Sequence, residues 1–391
     1  MKKEFIAILF LLLFACNTGE KIQKSELGLK IVYKNEIIQL EEIDFNESLF
    51  IDSCSFIPLE TKSESLIGEI KQIKIYNNNI YIFDIKTRSI KVFNIEGRYL
   101  CDIGKQGQGD KEYISINSFF INTDENKVCI VDPLKKCVHE YGLNGDYIRN
   151  VKPKVWGFHS PLSLVYSDKF LYCAFCLSYN NDKVYAKMSS EDYSVIEEWS
   201  TYPLKLNIQM SVAFLDNPFS IVNTEMHYTS LFSDTIYKYG EDEKKPYLVI
   251  ETGKPNVPFN FVDGKSYEYE PVEALAEISS SEKYSPGFSL LLETDRFVFT
   301  KFDLNKDFYV IDKKTEKAYH VITPPYQLDI MSSKCINGND LIKVFDQEEI
   351  SNYLQYVETD GVKYPKQIQN MISNYDLDEG NPVILIYHVK K

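Results

Sequence analysis

The chain has 391 residues, 43 basic against 57 acidic side chains and a formal charge of −14, a length that suits two or three ordinary domains or one large repeat fold. So acidic a surface excludes nucleic acid and an anionic membrane surface as partners, because neutralising phosphates takes clustered Lys and Arg. The 28 tyrosines and 24 phenylalanines, set among short Ile and Val runs cut by Asn, Asp and Gly, describe an all-β chain with frequent turns.

At the N-terminus, Lys2 and Lys3 precede an apolar run from Phe5 to Ala15 and then Cys16. The run has the length of a secretory signal and is too short for a retained span. Leu13-Phe14-Ala15-Cys16 resembles the lipobox of bacterial lipoproteins, where a peptidase cuts before the cysteine and its sulfur carries diacylglycerol. That resemblance implies a signal peptide over 1–15 and membrane attachment through lipid on Cys16. Each acyl CH₂ buried in the bilayer contributes about 0.8 kcal/mol. Asn17 implies, by the same analogy, delivery to the outer membrane, facing either side. An ordinary cleaved signal or an uncleaved anchor is the competing account of Cys16. Residues 16–48 read as the lipidated N-terminus and a tether with a short strand at 29–33, and 49–391 as one repeat domain.

The repeat begins with Asn79-Ile-Tyr-Ile-Phe-Asp84, which returns 48 residues later as Lys127-Val-Cys-Ile-Val-Asp132. The same offset relates Ile90-Lys-Val-Phe93 to Val138-His-Glu-Tyr141, and Gly97-Arg-Tyr-Leu100 to Gly145-Asp-Tyr-Ile148. With earlier strands at 67–76 and 113–121, each unit holds four antiparallel strands, the content of one propeller blade. More diverged units fall at 162–201, 219–251 and 288–323. A sixth is assembled from 341–345 and 382–387, with 51–59 as its outer strand, so that the two ends of the domain close the ring. The expected fold is a monomeric six-bladed β-propeller of four-stranded antiparallel blades, with helical insertions in the later blades at 271–278, 347–356 and 366–375.

Several local motifs invite chemistry. Cys173 and Cys176 form a C-x-x-C, but on a strand residues three apart point to opposite faces, and buried thiols acting as small hydrophobes account for them better. Gly104, Gly107 and Gly109 suggest a phosphate loop, yet a strand rather than a helix is expected next, so they serve a sharp turn between blades. Asp303-x-Asn305-x-Asp307 opens like a calcium loop but has Phe308 and Lys314 where Gly and Glu belong. Structural Ca²⁺ therefore stays a candidate beside a polar hairpin turn, and no other cofactor is expected. The histidines His139, His159, His227, His320 and His388 are far apart in sequence, and neither a G-x-S-x-G elbow nor a Ser/His/Asp spacing stands out.

The turn from Asp84 to Arg88, repeated as Asp132 to Lys136, lies on the same face of a propeller as the inter-blade loops 105–112 and 152–161. These loops build a rim around the channel, where binding residues concentrate. Asp84, Arg88, Asp132, Lys136, Trp156, Phe158 and His159 are the candidate ligand contacts. The competing reading has each Asp cap its own turn and Trp156 fill the gap between blades.

Phe56-Ile-Pro-Leu-Glu-Thr61, Glu64-Ser-Leu-Ile-Gly68, Gly104-Lys-Gln-Gly-Gln-Gly109 with Glu112-Tyr113, Ser233-Asp-Thr-Ile-Tyr237 and Asn381-Pro-Val-Ile-Leu-Ile-Tyr387 together resemble the six-bladed β-propeller lipoproteins of certain Gram-negative gut bacteria. The blade units are similar to NHL and TolB-like repeats. The resemblance covers residues 50–391 and departs at Asp110-Lys111, where that family often has Pro-Gly. It implies the fold and a lipid-anchored place in the cell envelope, and no reaction. The expected role is a binding or scaffold module for a glycan, peptide or envelope protein. The alternative is a periplasmic or cell-surface hydrolase or lyase working at the channel mouth.

Overall fold

The computed structural model describes residues 29–44, 47–156, 161–175, 185–199, 217–229, 232–240, 244–258, 261, 277–278, 280–281, 283–285, 287–302, 307–322, 333–351, 355, 370, 373, 375 and 380–391. The apolar runs form strands, each ended by a turn that its own Asn, Asp or Gly permits. The first sheet is β4 (Ile70–Tyr76), β5 (Asn79–Asp84), β6 (Ser89–Asn94) and β7 (Tyr99–Asp102). The second is β8 (Ser118–Asn122), β9 (Lys127–Asp132), β10 (Cys137–Gly142) and β11 (Tyr147–Val151). The third is β12 (Pro161–Ser167), β13 (Phe170–Phe175), β14 (Tyr185–Ser189) and β15 (Val195–Trp199). Each is an antiparallel meander in chain order. In both repeats the glycine between the last two strands takes a positive φ, 83° at Gly97 and 88° at Gly145. A Cβ on either would run into the backbone of the preceding sheet, at Pro58 or Asp102, so glycine there also sets how closely neighbouring sheets pack.

A fourth separate sheet has the order β24 (Cys335–Asn337), β25 (Asp340–Phe345), β26 (Val383–Val389), β3 (Ile51–Pro58). The N-terminal β3 therefore pairs antiparallel with the C-terminal β26, with Ile384 opposite Ile57 and Tyr387 opposite Cys54. Asn381 reinforces this closure. Its Nδ2 donates to the carbonyls of Glu60 and Ser65 at 2.8 and 2.9 Å, and its Oδ1 accepts from Ile67 N at 2.9 Å.

The remaining strands correct the expectation of six separate blades. They make one ten-stranded sheet, with β16 (Phe219–Val222), β17 (Glu225–Tyr228), β18 (Thr235–Lys238) and β19 (Lys245–Glu251) at one end. At the other end stand β20 (Phe288–Glu293), β21 (Phe297–Phe302), β22 (Asp307–Asp312) and β23 (Lys317–Ile322). Between the two meanders lies a hairpin, β1 (Lys30–Tyr33) and β2 (Glu36–Asp44), from the stretch read as a tether with a short strand. β1 pairs antiparallel with β19, and β2 runs parallel to β23. The physical reason for the fusion is that the hairpin pairs with the outer edges of both meanders at once, leaving neither as a free strand edge.

The first strands of the successive meanders touch in a closed cycle: β4 meets β8, β8 meets β12, β12 meets β16, β16 meets β20, β20 meets β24, and β24 returns to β4. The architecture is all-β and propeller-like, with four-stranded antiparallel blades. Its core is divided among the seams between neighbours. Tyr81, Phe83 and Val92 pack with Phe119, Val128 and Ile130 between the first two sheets, and Ile73, Ile82 and Phe93 pack with Ile342, Ile384 and Ile386 at the closure. Each such side chain contributes about 1.5–3 kcal/mol on burial.

Of the helical insertions, the described residues show helical turns at 277–278 and 347–351, and the remainder of those stretches lies mostly outside the described residues. The only helix bounded by described residues is the 3-10 turn Glu47–Leu49.

Candidate functional site

The rim residues come first, since the repeat pointed to them. Asp84 and Asp132 are fully buried. Asp84 accepts from the backbone N–H groups of Gly68, Glu69 and Lys86 and from Thr87 Oγ1, all within 3.0 Å. Asp132 accepts from Ile114 N at 2.7 Å, from Leu134 N and Lys135 N at 3.0 Å, and from Ser115 Oγ. Burial opposes the charge on Asp132, but His139 and these amides outweigh it and hold the carboxyl down to about 2. These carboxylates tie the turn after the second strand to the loop entering the same sheet. Arg88 and Lys136 occupy the left-handed region of those turns, at φ 54° and 49°. Trp156 is half-buried against the cluster shared by the second and third sheets. Phe158 and His159 lie outside the described residues, as do Cys16, Cys176, Asp303 and Asn305.

The glycine loop is followed by β8 and not by a helix. Glu112 folds back to accept from Gly109 N at 2.9 Å. Cys173 is buried beside Met188. Asp307 meets His320 at 3.2 Å. Among the described residues no three His, Cys, Asp or Glu side chains gather as a metal site.

The polar constellation the sequence did not reveal lies between the fourth and fifth meanders. Turns alternate ends in an antiparallel meander, so this site is on the face opposite Asp84 and Asp132. It is built where four turns meet: Val222 to Glu225 between β16 and β17, Thr294 to Arg296 between β20 and β21, Lys313 and Lys314 between β22 and β23, and the hairpin turn after Tyr33. Lys34 and Asn35 take φ 49° and 71°, and Asn223 and Thr224 take 50° and 68°, the paired positive values that two-residue hairpin loops need.

Glu293, at the end of β20, is buried and accepts only from side chains. Its Oε2 meets His227 Nδ1 at 2.7 Å, and its Oε1 accepts from Tyr247 OH at 2.8 Å and Lys313 Nζ at 2.9 Å. Burial would raise its pKa, but His227 and Lys313 outweigh that and keep it a carboxylate below the usual range. Burial and the Glu293 charge push the Tyr247 phenol far up, so it remains a donor. The His227 ring stacks on Tyr247, centroids 3.7 Å apart at 10°. A carboxylate on Nδ1 requires a proton there, which leaves Nε2 as the outward nitrogen of the pair. His227 Nε2 is buried with no hydrogen-bond partner among the described residues, an uncommon and costly condition for a native polar atom.

These residues line a cleft of about 460 Å³, within the size range of small-ligand sites. Five basic side chains line it (Lys34, Arg296, Lys313, Lys314, Lys391) against three acidic ones (Glu225, Glu293, Asp295). Arg296 is held by Asp312 and Lys313 by Glu293, whereas Lys34 and Lys314 have no carboxylate partner among the described residues. On a chain of formal charge −14 this local excess of positive charge is the reverse of the surface as a whole.

Comparison with known proteins follows the fold. A family model described as a domain of unknown function (DUF4934) matches residues 30–388. No curated protein matches the chain. A crystal structure of a Bacteroides fragilis protein named "Putative exported protein" is similar at 20% identity and TM-score 0.69, covering 90% of this chain and 99% of that one. A DUF4221 family member from Bacteroides vulgatus is similar at 10% identity and TM-score 0.50, covering 87% and 97%. At these identities the likeness speaks to the fold alone.

Proposed function

We propose that this chain, which belongs to the DUF4934 family, is an extracytoplasmic, lipid-anchored binding module that holds a carboxylated or sulfated glycan in the cleft between its fourth and fifth meanders. The observation that carries the reading is the cleft itself: an excess of cations, two tyrosines and a buried imidazole nitrogen with no partner among the described residues, with His227, Tyr247 and Lys313 held by the buried Glu293. Cations neutralise the ligand's acid groups, and the buried Tyr33 and Tyr247 form the floor beneath them. The overall negative charge does not forbid this, because at physiological salt charges more than about 8 Å away are largely screened and the lining side chains dominate.

The closed cycle of first strands supports counting the ten-stranded sheet as two blades bridged by the hairpin, giving six in all. The apolar run before Cys16 and the name of the Bacteroides fragilis relative support export. Among the described residues no helix is long and apolar enough to cross a membrane. Lys30 opens β1 opposite Glu251, on the face that carries Asp84, Asp132 and the exposed Leu66, Ile85, Leu134 and Val155. A tether from Cys16 therefore joins the ring at that face, and its thirteen steps to Leu29 reach at most roughly 45 Å.

The test is calorimetric titration with polygalacturonate and with neutral dextran. Binding of polygalacturonate at low salt, weakened at high salt, with none to dextran, supports the reading. Equal binding of poly-glutamate would move it to an acidic peptide, and no binding of any polyanion would refute it.

A further inference from the structure

A second constellation, whose groove meets the cleft at Arg296 and Lys391, lies on the sheet that closes the ring. His388 on β26 stands opposite Asp340 on β25 and Ser53 on β3, and Ser55 is the next residue on that face of β3. His388 Nδ1 meets Asp340 Oδ1 at 2.8 Å, and His388 Nε2 meets Ser55 Oγ at 2.8 Å. A carboxylate on Nδ1 places a proton there, which leaves Nε2 to accept from the serine hydroxyl. Orienter, base and nucleophile are thus in hydrogen-bond order, the arrangement that acyl-transfer sites on unrelated folds share. Ser55 is exposed, and the pairing of β3 with β26 brings it to His388 across 333 residues of sequence.

We propose that Ser55 is a nucleophile toward carboxylic esters, with His388 as its base and Asp340 as the positioning residue. Ser55 Oγ bonds to the acyl carbon while its proton passes to His388 Nε2. The C–O bond to the alcohol then breaks, and the alcohol leaves with that proton. Water, giving its proton to His388, next releases the carboxylic acid, and Oγ recovers its hydrogen. A groove of about 550 Å³ beside His388 is lined by Arg296, Lys390 and Lys391 and by the carboxylates of Asp52 and Asp340, room for a small ester of either charge. Ser55 sits on an open edge strand and not at a strand-to-helix turn. A missing oxyanion donor costs about 10²–10³ in rate, so the reaction is slow and favours esters with good leaving groups.

The experiment is covalent labelling of the full chain with a fluorophosphonate probe, mapped by peptide mass, alongside the release of p-nitrophenol from its acetate. Labelling at Ser55 with an acyl burst of one per chain is expected. Ser55→Ala abolishes both, and His388→Gln slows labelling by about 100-fold. Asp340→Asn slows it several-fold at unchanged Tm and unchanged final extent, which a purely structural pair would not do. Absence of labelling in the folded chain, labelling that survives Ser55→Ala, or rates indifferent to both His388→Gln and Asp340→Asn would overturn the proposal.

Discussion

Two buried glutamates, Glu140 and Glu293, do the same mechanical work at two different seams. Glu140 accepts from Arg149 and Lys127 of its own sheet and from Tyr193 OH of the next, each at 2.9 Å or close to it. Burial opposes its charge, and Arg149, Lys127 and Tyr193 outweigh it. Glu293 likewise collects three side-chain donors, Lys313 from its own meander and His227 and Tyr247 from across the seam with the fourth. The difference lies in what is left over. Among the described residues, Glu140 and its three donors leave no buried side-chain atom without a partner, whereas the Glu293 cluster keeps His227 Nε2 unpartnered at the wall of a basic cleft. A seam closed on itself holds sheets together, and a seam with an unused nitrogen beside a cavity can also hold something else.

The largest effect that could break this comparison comes from the glutamates themselves. Glu140→Leu and Glu293→Leu each strip a buried network of its common acceptor, stranding Tyr193 in one case and His227, Tyr247 and Lys313 in the other, and should each cost about 3 kcal/mol in urea unfolding. Only Glu293→Leu should also abolish polygalacturonate binding. If Glu140→Leu abolished it equally in the folded protein, the two seams would not differ in function.

Next in size is the closure seam, which has structure but no proposed glycan contact. Asn381→Ala removes three hydrogen bonds and strands buried backbone groups, so a loss of about 3 kcal/mol is expected with glycan affinity unchanged. The acid limb of stability should report Asp132. Its folded pKa, about 2, is depressed from an unfolded value of about 3.9. Its stabilisation is therefore present above pH ~4 and lost as pH falls toward 2, worth about 2–3 kcal/mol. Asp132→Asn should flatten that part of the pH profile, and an unchanged profile would assign the acid sensitivity elsewhere. The smallest change in stability, within about 0.5 kcal/mol, is expected for Lys314→Ala at the exposed mouth of the cleft. It should nonetheless weaken polygalacturonate binding and reduce its salt dependence.

Much of this ring was legible in the chain. The 48-residue repeat located the strands of the first two sheets, because alternation ending in Asp marks both the strand and its turn. The pairing of 51–59 with the last strand was also legible, since both are apolar runs without a partner nearby in sequence. The second strand of the N-terminal hairpin was not. Its signal, Lys34-Asn35 between Tyr33 and the alternating Ile38 and Leu40, is short, and its partners lie more than two hundred residues away. The cleft was hidden for the same reason. His227, Tyr247, Glu293 and Lys313 are scattered over four strands and turns, and only Glu293, a charge ending the wholly buried strand Phe288–Glu293, breaks the local pattern. The Asp84 and Asp132 positions were conspicuous because they repeat, and the structure spends their carboxylates on backbone amides.

Hydrogen–deuterium exchange of the chain with and without polygalacturonate tests the central claim most directly. Protection is predicted at the turns around Lys34, Asn223, Asp295 and Lys314, with the opposite face unchanged. Protection confined to the turns at 84–88 and 132–136 and to the loop through Trp156 would instead place the ligand on the far rim, and contradict this account.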